Sequence, residues 1–220
     1  MLNIYNICFP LVNEKKKYLG TAFKWNEKFY VTCKHVVKDQ REITIVFDIE
    51  GDQKAYKITK NLCSKKYDLC LFEIEQNRHE KSLIQSTEEL SMGQDVILLG
   101  FTSTTPGVIE PRCIKTYIHR ARAKPDDWLV DSFGLISINE LNIQIPRGFS
   151  GGPVISSNNN QLLGMILGTN AIENNCYIVE DEVTTTGNEK TSIQIKEKTY
   201  FGLIHTIKDI QDIISSESPI

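Results

Sequence analysis

Apolar runs of strand length, each cut short by turn residues, restrict this chain more than any other feature. β-branched and aromatic residues cluster in the candidate strands Ile4–Leu11, Tyr18–Trp25, Phe29–Cys33, Ile43–Asp48, Lys54–Thr59 and Leu69–Glu73. Asn26, Glu27 and Lys28 form one turn, and Glu50, Gly51, Asp52 and Gln53 carry a hairpin signal. A polar stretch from Glu75 to Glu89 reads as a linker. Beyond it come candidate strands at Asp95–Phe101, Arg112–Ile118, Leu129–Leu135, Asn142–Ile145, Gly152–Ile155, Gln161–Leu167 and Tyr200–His205. Cys176–Val183 and Ser192–Glu197 suggest a protruding hairpin. Helical spacing is convincing only at the C-terminus, where Ile207, Ile210, Ile213 and Ile214 make one apolar stripe behind Thr206, a plausible N-cap. That helix is expected at about 206–216. Short strands and one terminal helix imply an all-β sandwich or double barrel, divided near residues 76–90.

Composition removes several function classes. A chain of 220 residues can bury a full core without metal or disulfide staples. Its hydrophobic fraction of 40% and charged fraction of 24% are those of a globular domain. The formal net charge of −3 argues against nucleic acid or a membrane surface as partner. The basic segment Arg112–Lys124 reads as a solvated pair of strands. Among the six cysteines there is no Cys-x-x-Cys pair and no zinc spacing, so no metal is expected. Cys8, Cys33, Cys70 and Cys113 lie in apolar runs and are expected as buried, reduced thiols. No signal peptide is legible at Met1–Pro10, and no run of about 18 apolar residues could span a bilayer. A cytoplasmic location is therefore expected.

Candidate chemistry concentrates in Arg147-Gly148-Phe149-Ser150-Gly151-Gly152-Pro153. Glycines around a serine let the backbone turn and bring N–H groups close to a ligand. Gly148 and Ser150 are the expected oxyanion donors, although an inert tight turn uses the same residue types. A serine hydroxyl needs a positioned base. Of four histidines, His79 lies in a polar run, His119 among arginines and lysines, and His205 ends a late strand. His35 closes an apolar hairpin, Phe29–Cys33, and is the best base. Asp68, just before the apolar run Leu69–Phe72, is the best acid to orient it. Asp39, Asp48 and Asp52 are rivals in charged or turn segments.

The order of these residues resembles the chymotrypsin-fold, trypsin-like serine proteases, with the flavour of bacterial Deg (high-temperature-requirement) peptidase domains. Gly20-Thr-Ala-Phe with Val31-Thr-Cys-Lys-His35-Val-Val is similar to the family's histidine block, and Tyr67-Asp68-Leu-Cys-Leu-Phe to its aspartate block. Gly148-Phe-Ser150-Gly-Gly-Pro resembles the nucleophile loop, and Leu163-Gly-Met-Ile-Leu-Gly168 the strand that pairs with substrate. The resemblance implies two packed antiparallel β-barrels with a short C-terminal α-helix. Residues 1–88 would carry His35 and Asp68, and residues 89–220 would carry Ser150. It further implies a serine endopeptidase that hydrolyses peptide bonds through an acyl-enzyme. Leu167, Gly168 and Thr169 would line the primary specificity pocket, which on this reading takes a small or apolar side chain.

Cys33-Lys34 replaces the small residues usual before the histidine, and Phe149 replaces the aspartate of zymogen-activated members. Proteolytic activation is therefore not expected. No cofactor is implied. The expected partners are a protein or peptide substrate, with a regulatory protein allowed for. A catalytically inactive binding or sensing module on the same fold, or an esterase, are the alternatives.

Overall fold

A computed structural model describes residues 4–49, 52–76, 82–105, 108–125, 134–177 and 194–217. Twelve strands form two closed antiparallel barrels. The first contains β1 (Cys8–Asn13), β2 (Tyr18–Lys24), β3 (Tyr30–Thr32), β4 (Ile43–Ile49), β5 (Asp52–Cys63) and β6 (Cys70–Ile74), in the spatial order β1-β2-β3-β6-β5-β4. The second contains β7 (Asp95–Thr105), β8 (Val108–Ala123), β9 (Ile138–Leu141), β10 (Pro153–Ser156), β11 (Leu162–Tyr177) and β12 (Gln194–Thr206), ordered β10-β11-β12-β9-β8-β7. Closure pairs most strand edges within each barrel, but past Ile166 β11 is paired on one side only among the described residues.

Each barrel is filled from within. Phe9, Tyr30, Phe47 and Phe72 are almost wholly buried in the first, with Phe9 and Phe47 ring centres 4.4 Å apart. Burying such a side chain contributes about 1.5–3 kcal/mol. Leu98, Ile118, Leu141, Phe149, Val154 and Ile166 pack together in the second. β8 turns most of its residues outward, and its cations meet carboxylates there: Lys115 with Asp95 at 2.8 Å, and Arg122 with Glu89. The basic segment is thus a solvated, ion-paired face.

The terminal helix, Ile207–Glu217, begins with a reciprocal cap. Asp209 N–H donates to Thr206 Oγ1 at 3.0 Å, and Thr206 N–H donates to Asp209 Oδ2 at 2.8 Å. Ile207, Ile210 and Ile213 face the core, as their spacing requires. No helix among the described residues is long and apolar enough to cross a membrane.

Several expectations need correcting. Ile4–Asn6 is a 3-10 turn, and the first strand starts at Cys8. Asn142–Ile145 is not a strand: Ile143 N–H turns back to Leu141 O, so the chain leaves the ladder after β9. The candidate strand Leu129–Leu135 falls mostly outside the described residues, and Gly134 and Leu135 are not in a strand. β11 and β12 pair from Gly164 with Thr206 to Tyr177 with Gln194, with a register shift between Ile166 and Gly168. The tip of that hairpin, and His79, lie outside the described residues.

Cysteine chemistry also differs from expectation. Cys63 and Cys70 form a disulfide, because the β5–β6 register sets them directly opposite one another. Such a bond is uncommon in a reducing cytoplasm, so the thiols no longer support that location. Cys8 and Cys33 are free and buried, but Cys113 points out of β8 and is exposed.

Candidate active site

Strand register brings the expected base and acid together. β3 and β6 are antiparallel, with Thr32 opposite Cys70. The three residues after Thr32 therefore run alongside the two before Cys70. His35 sits in a four-residue helical turn, Lys34–Val37, immediately beyond β3. Asp68 takes two hydrogen bonds from it: His35 N–H donates to Oδ1 at 2.9 Å, and Nδ1 lies 2.6 Å from Oδ2. Both carboxylate oxygens are occupied, so backbone and ring fix each other's position. Asp68 is largely buried, with 16% side-chain exposure, against 51% for His35. A proton on Nδ1 turns the lone pair of Nε2 away from the carboxylate.

Ser150 comes from the other barrel. Its loop precedes β10 and is gripped by β2 of the first barrel. Thr21 N–H donates to Ser150 O at 2.9 Å, and the Tyr18 hydroxyl donates to Gly148 O at 2.6 Å. The Thr21 hydroxyl reaches the same Gly148 carbonyl at 2.9 Å. Burial pushes the Tyr18 phenol far above its ordinary range, so it stays a neutral donor. Two glycines are required here. Gly148 has φ +100°, and a Cβ would strike the Tyr18 ring and sit 2.7 Å from Phe101 O. Gly151 has φ +84°, and a Cβ would strike Thr21 O and Thr32 Oγ1.

Backbone donors alternate along this loop. Phe149 N–H is used by Pro146 O, Gly151 N–H by Ile166 O, and Gly152 N–H by Phe149 O. Gly148 and Ser150 N–H have no acceptor among the described residues. The Phe149 side chain is fully buried and packs against Gly100, which anchors the loop through apolar contact.

A cavity of about 450 Å³ is lined by Ser150, His35, Asp68, Gly134, Leu167 and Gly168. Lys34, Lys38, Lys66 and Tyr67 complete its wall. Among the described residues no hydrogen bond joins the Ser150 hydroxyl to the His35 ring. Thr169, expected in the specificity pocket, does not line this cavity: its hydroxyl accepts from Ile145 N–H at 2.9 Å and faces away. Open space lies where a Gly168 Cβ would be. Past Ile166, β11 has a ladder partner on one side only, β12, among the described residues.

Two contacts behind this site escaped sequence reasoning. Cys33 Sγ donates to Ile166 O at 3.2 Å, linking the histidine strand to β11, and burial holds its thiol protonated. Glu217, from the terminal helix, accepts from Ser64 Oγ at 2.6 Å and from Lys65 N–H at 3.1 Å. Ser64 Oγ in turn accepts from Tyr67 N–H at 2.8 Å, so the helix end holds the loop that carries Asp68. A carboxylate 153 positions from its partner leaves no local signal in the sequence. Cys33, His35 and Asp68 also place ligand-type atoms within 4.8 Å of one another, but the thiol is buried and the other two already bind each other.

Several solved structures share this architecture. The Rv3671c protease from M. tuberculosis, inactive form, is 18% identical, with a TM-score of 0.66 over 97% of this chain and 89% of that one. Its active form is 19% identical, with a TM-score of 0.65 over 99% and 84%. The MamO protease domain from Magnetospirillum magneticum is 13% identical, with a TM-score of 0.63 over 98% and 97%. Identities this low speak for the fold alone. No curated protein matched the sequence. The family model for the trypsin-like peptidase domain matches residues 20–165, most of the chain, and with the two-barrel architecture this means that the chain belongs to the trypsin-like peptidase family.

Proposed function

We propose that the chain is a serine endopeptidase in which Ser150 is the nucleophile, His35 the general base and Asp68 the acid that orients it. The observation that carries this reading is the double hydrogen bond from His35 to Asp68, in the same cavity as a serine flanked by unused N–H groups. Ser150 Oγ attacks the substrate carbonyl as His35 Nε2 removes its proton. Asp68 stabilises the imidazolium that forms. The negative oxygen of the tetrahedral intermediate lies between the N–H groups of Gly148 and Ser150, each worth on the order of 10²–10³ in rate. His35 then returns the proton to the departing amine, and water releases the acyl group by the same path. The peptide lies along the unpaired side of β11 as an added strand, over Leu167 and Gly168.

One observation favours a binding or sensing module as the second reading: no hydrogen bond joins Ser150 to His35. Such contacts tighten only with substrate bound in many unliganded sites. Mass spectrometry of new protein N-termini in a proteome treated with wild type or Ser150→Ala separates the two. The endopeptidase reading expects cleavages made by wild type alone. Identical termini from both proteins would leave a binding module. Matched peptide and ester substrates then distinguish an endopeptidase from an esterase.

A further inference from the structure

The two walls of the cavity differ in chemistry. On the second-barrel side stand Leu167 and Gly168, which offer apolar surface and free backbone. On the first-barrel side stand Lys34, Lys38 and Lys66. Three lysines thus contribute to the wall beside Ser150 and His35, on a chain whose net charge is −3.

Three lysines elsewhere on the first barrel have carboxylate partners: Lys28 pairs with Glu73 at 3.3 Å, Lys57 with Glu42 at 3.3 Å, and Lys60 with Glu73 at 3.8 Å. Lys34, Lys38 and Lys66 have none among the described residues. Among the described residues Asp68 is the only acidic side chain in the cavity wall, and both of its oxygens already serve His35. Lys34 is fixed in place, because its Nζ donates to Lys65 O at 3.0 Å and keeps two further N–H bonds to give. Lys66 lies with Nζ 5.3 Å from the centre of the Tyr67 ring, which holds it beside the cavity. A cleft lined by one sign of charge concentrates the opposite sign and favours ligands that neutralise it.

We propose that this wall selects peptides carrying Asp or Glu within a few residues of the scissile bond, on the side that lies against the first barrel. The inference rests on the endopeptidase reading for its setting, but it concerns recognition and is measurable without turnover. Substrate carboxylates take the three ammonium groups as partners, while Leu167 and Gly168 receive the backbone and the apolar part of the chain. Exposed ion pairs are individually weak, so two or three formed together give a preference of about tenfold.

The test uses the full chain as Ser150→Ala and two pools of fluorescein-labelled nonapeptides. The pools are random except that one carries three Glu where the other carries three Gln. Fluorescence anisotropy should show the Glu pool binding about tenfold tighter at low salt. The gap should shrink at about 0.5 M NaCl, where exposed charges more than about 4 Å apart are screened. It should vanish in the variant that adds Lys34→Gln, Lys38→Gln and Lys66→Gln. Equal affinity for both pools, or a gap that survives the lysine substitutions, overturns the inference. Wild type supplies the separate check. Cleavage sites without acidic enrichment would refute this selectivity and leave the endopeptidase standing. Tight, lysine-dependent binding of the Glu pool with no cleavage by wild type would do the reverse.

Discussion

His205 gives this fold a specific sensitivity to acid. It is the penultimate residue of β12, is fully buried, and neither ring nitrogen has a hydrogen-bond partner among the described residues. Burial disfavours the imidazolium and lowers the pKa from the ordinary 6.5, outweighing the Asp209 and Asp68 carboxylates, which pull the other way. A histidine that stays neutral in the native state but protonates in the unfolded state destabilises the fold as pH drops. Stability is therefore complete above pH 6.5 and lost below it. Between about pH 7.5 and 5.5, the unfolded imidazole goes from about one tenth to about nine tenths protonated. The native state then loses up to about 1.4 kcal/mol, the limit set by an imidazole that stays neutral throughout this range, or a factor of up to about ten in the unfolding equilibrium. Urea unfolding of wild type and His205→Leu at these two pH values isolates that contribution, since every other titrating group is common to both proteins. Leucine is close in size and brings no polar atom into the site. The wild-type midpoint should fall more than the variant's, by up to about 1.4 kcal/mol once converted with the common slope. Parallel losses in the two proteins would refute the reasoning and mean that His205 finds a partner or a proton in the native state.

Asp68→Asn should leave the fold intact and lower kcat by about 10⁴, because the amide cannot stabilise the imidazolium; steady-state kinetics with unchanged near-ultraviolet dichroism checks this, and a loss below tenfold would contradict it. Tyr18→Phe removes the hydroxyl that serves Gly148 O and Phe101 O, so it should cost about 1–3 kcal/mol in urea unfolding and slow acylation; unchanged acylation would mean the Thr21 hydroxyl holds the loop alone. The double substitution Cys63→Ser, Cys70→Ser should cost about 2.5 kcal/mol, the loop-closure entropy for a sequence separation of 7, and an unshifted denaturation midpoint would show that the hydrogen bonds of the Asp68 loop suffice without the bridge.

Much of the fold is legible in the sequence because short alternating runs carry their own signal. The stretches that become β2, β4, β6, β7 and β10 are recognisable from β-branched and aromatic residues bounded by turns. Asn142–Ile145 misleads because Ile143 and Ile145 alternate as a strand would. They pack at the end of the second barrel after the ladder has stopped. Cys113 misleads in the same way: apolar neighbours do not reveal which face of β8 a residue takes. For the candidate site, His35, Asp68 and Ser150 stand out as residue types at the ends of apolar strands, and the β3–β6 register supplies the meeting of the first two. The grip of Tyr18 on the Ser150 loop, the Glu217 brace and the lysine wall have no local pattern, since each depends on residues far apart in sequence.

The proposed chemistry requires that His35 activate Ser150, and a fluorophosphonate probe reads that directly. Intact-protein and peptide mass spectrometry should find one adduct per wild-type chain, on Ser150. None should form on Ser150→Ala, and labelling of His35→Ala should be slower by at least about a hundredfold. No adduct on Ser150, or equal labelling rates with and without the His35 imidazole, would contradict it.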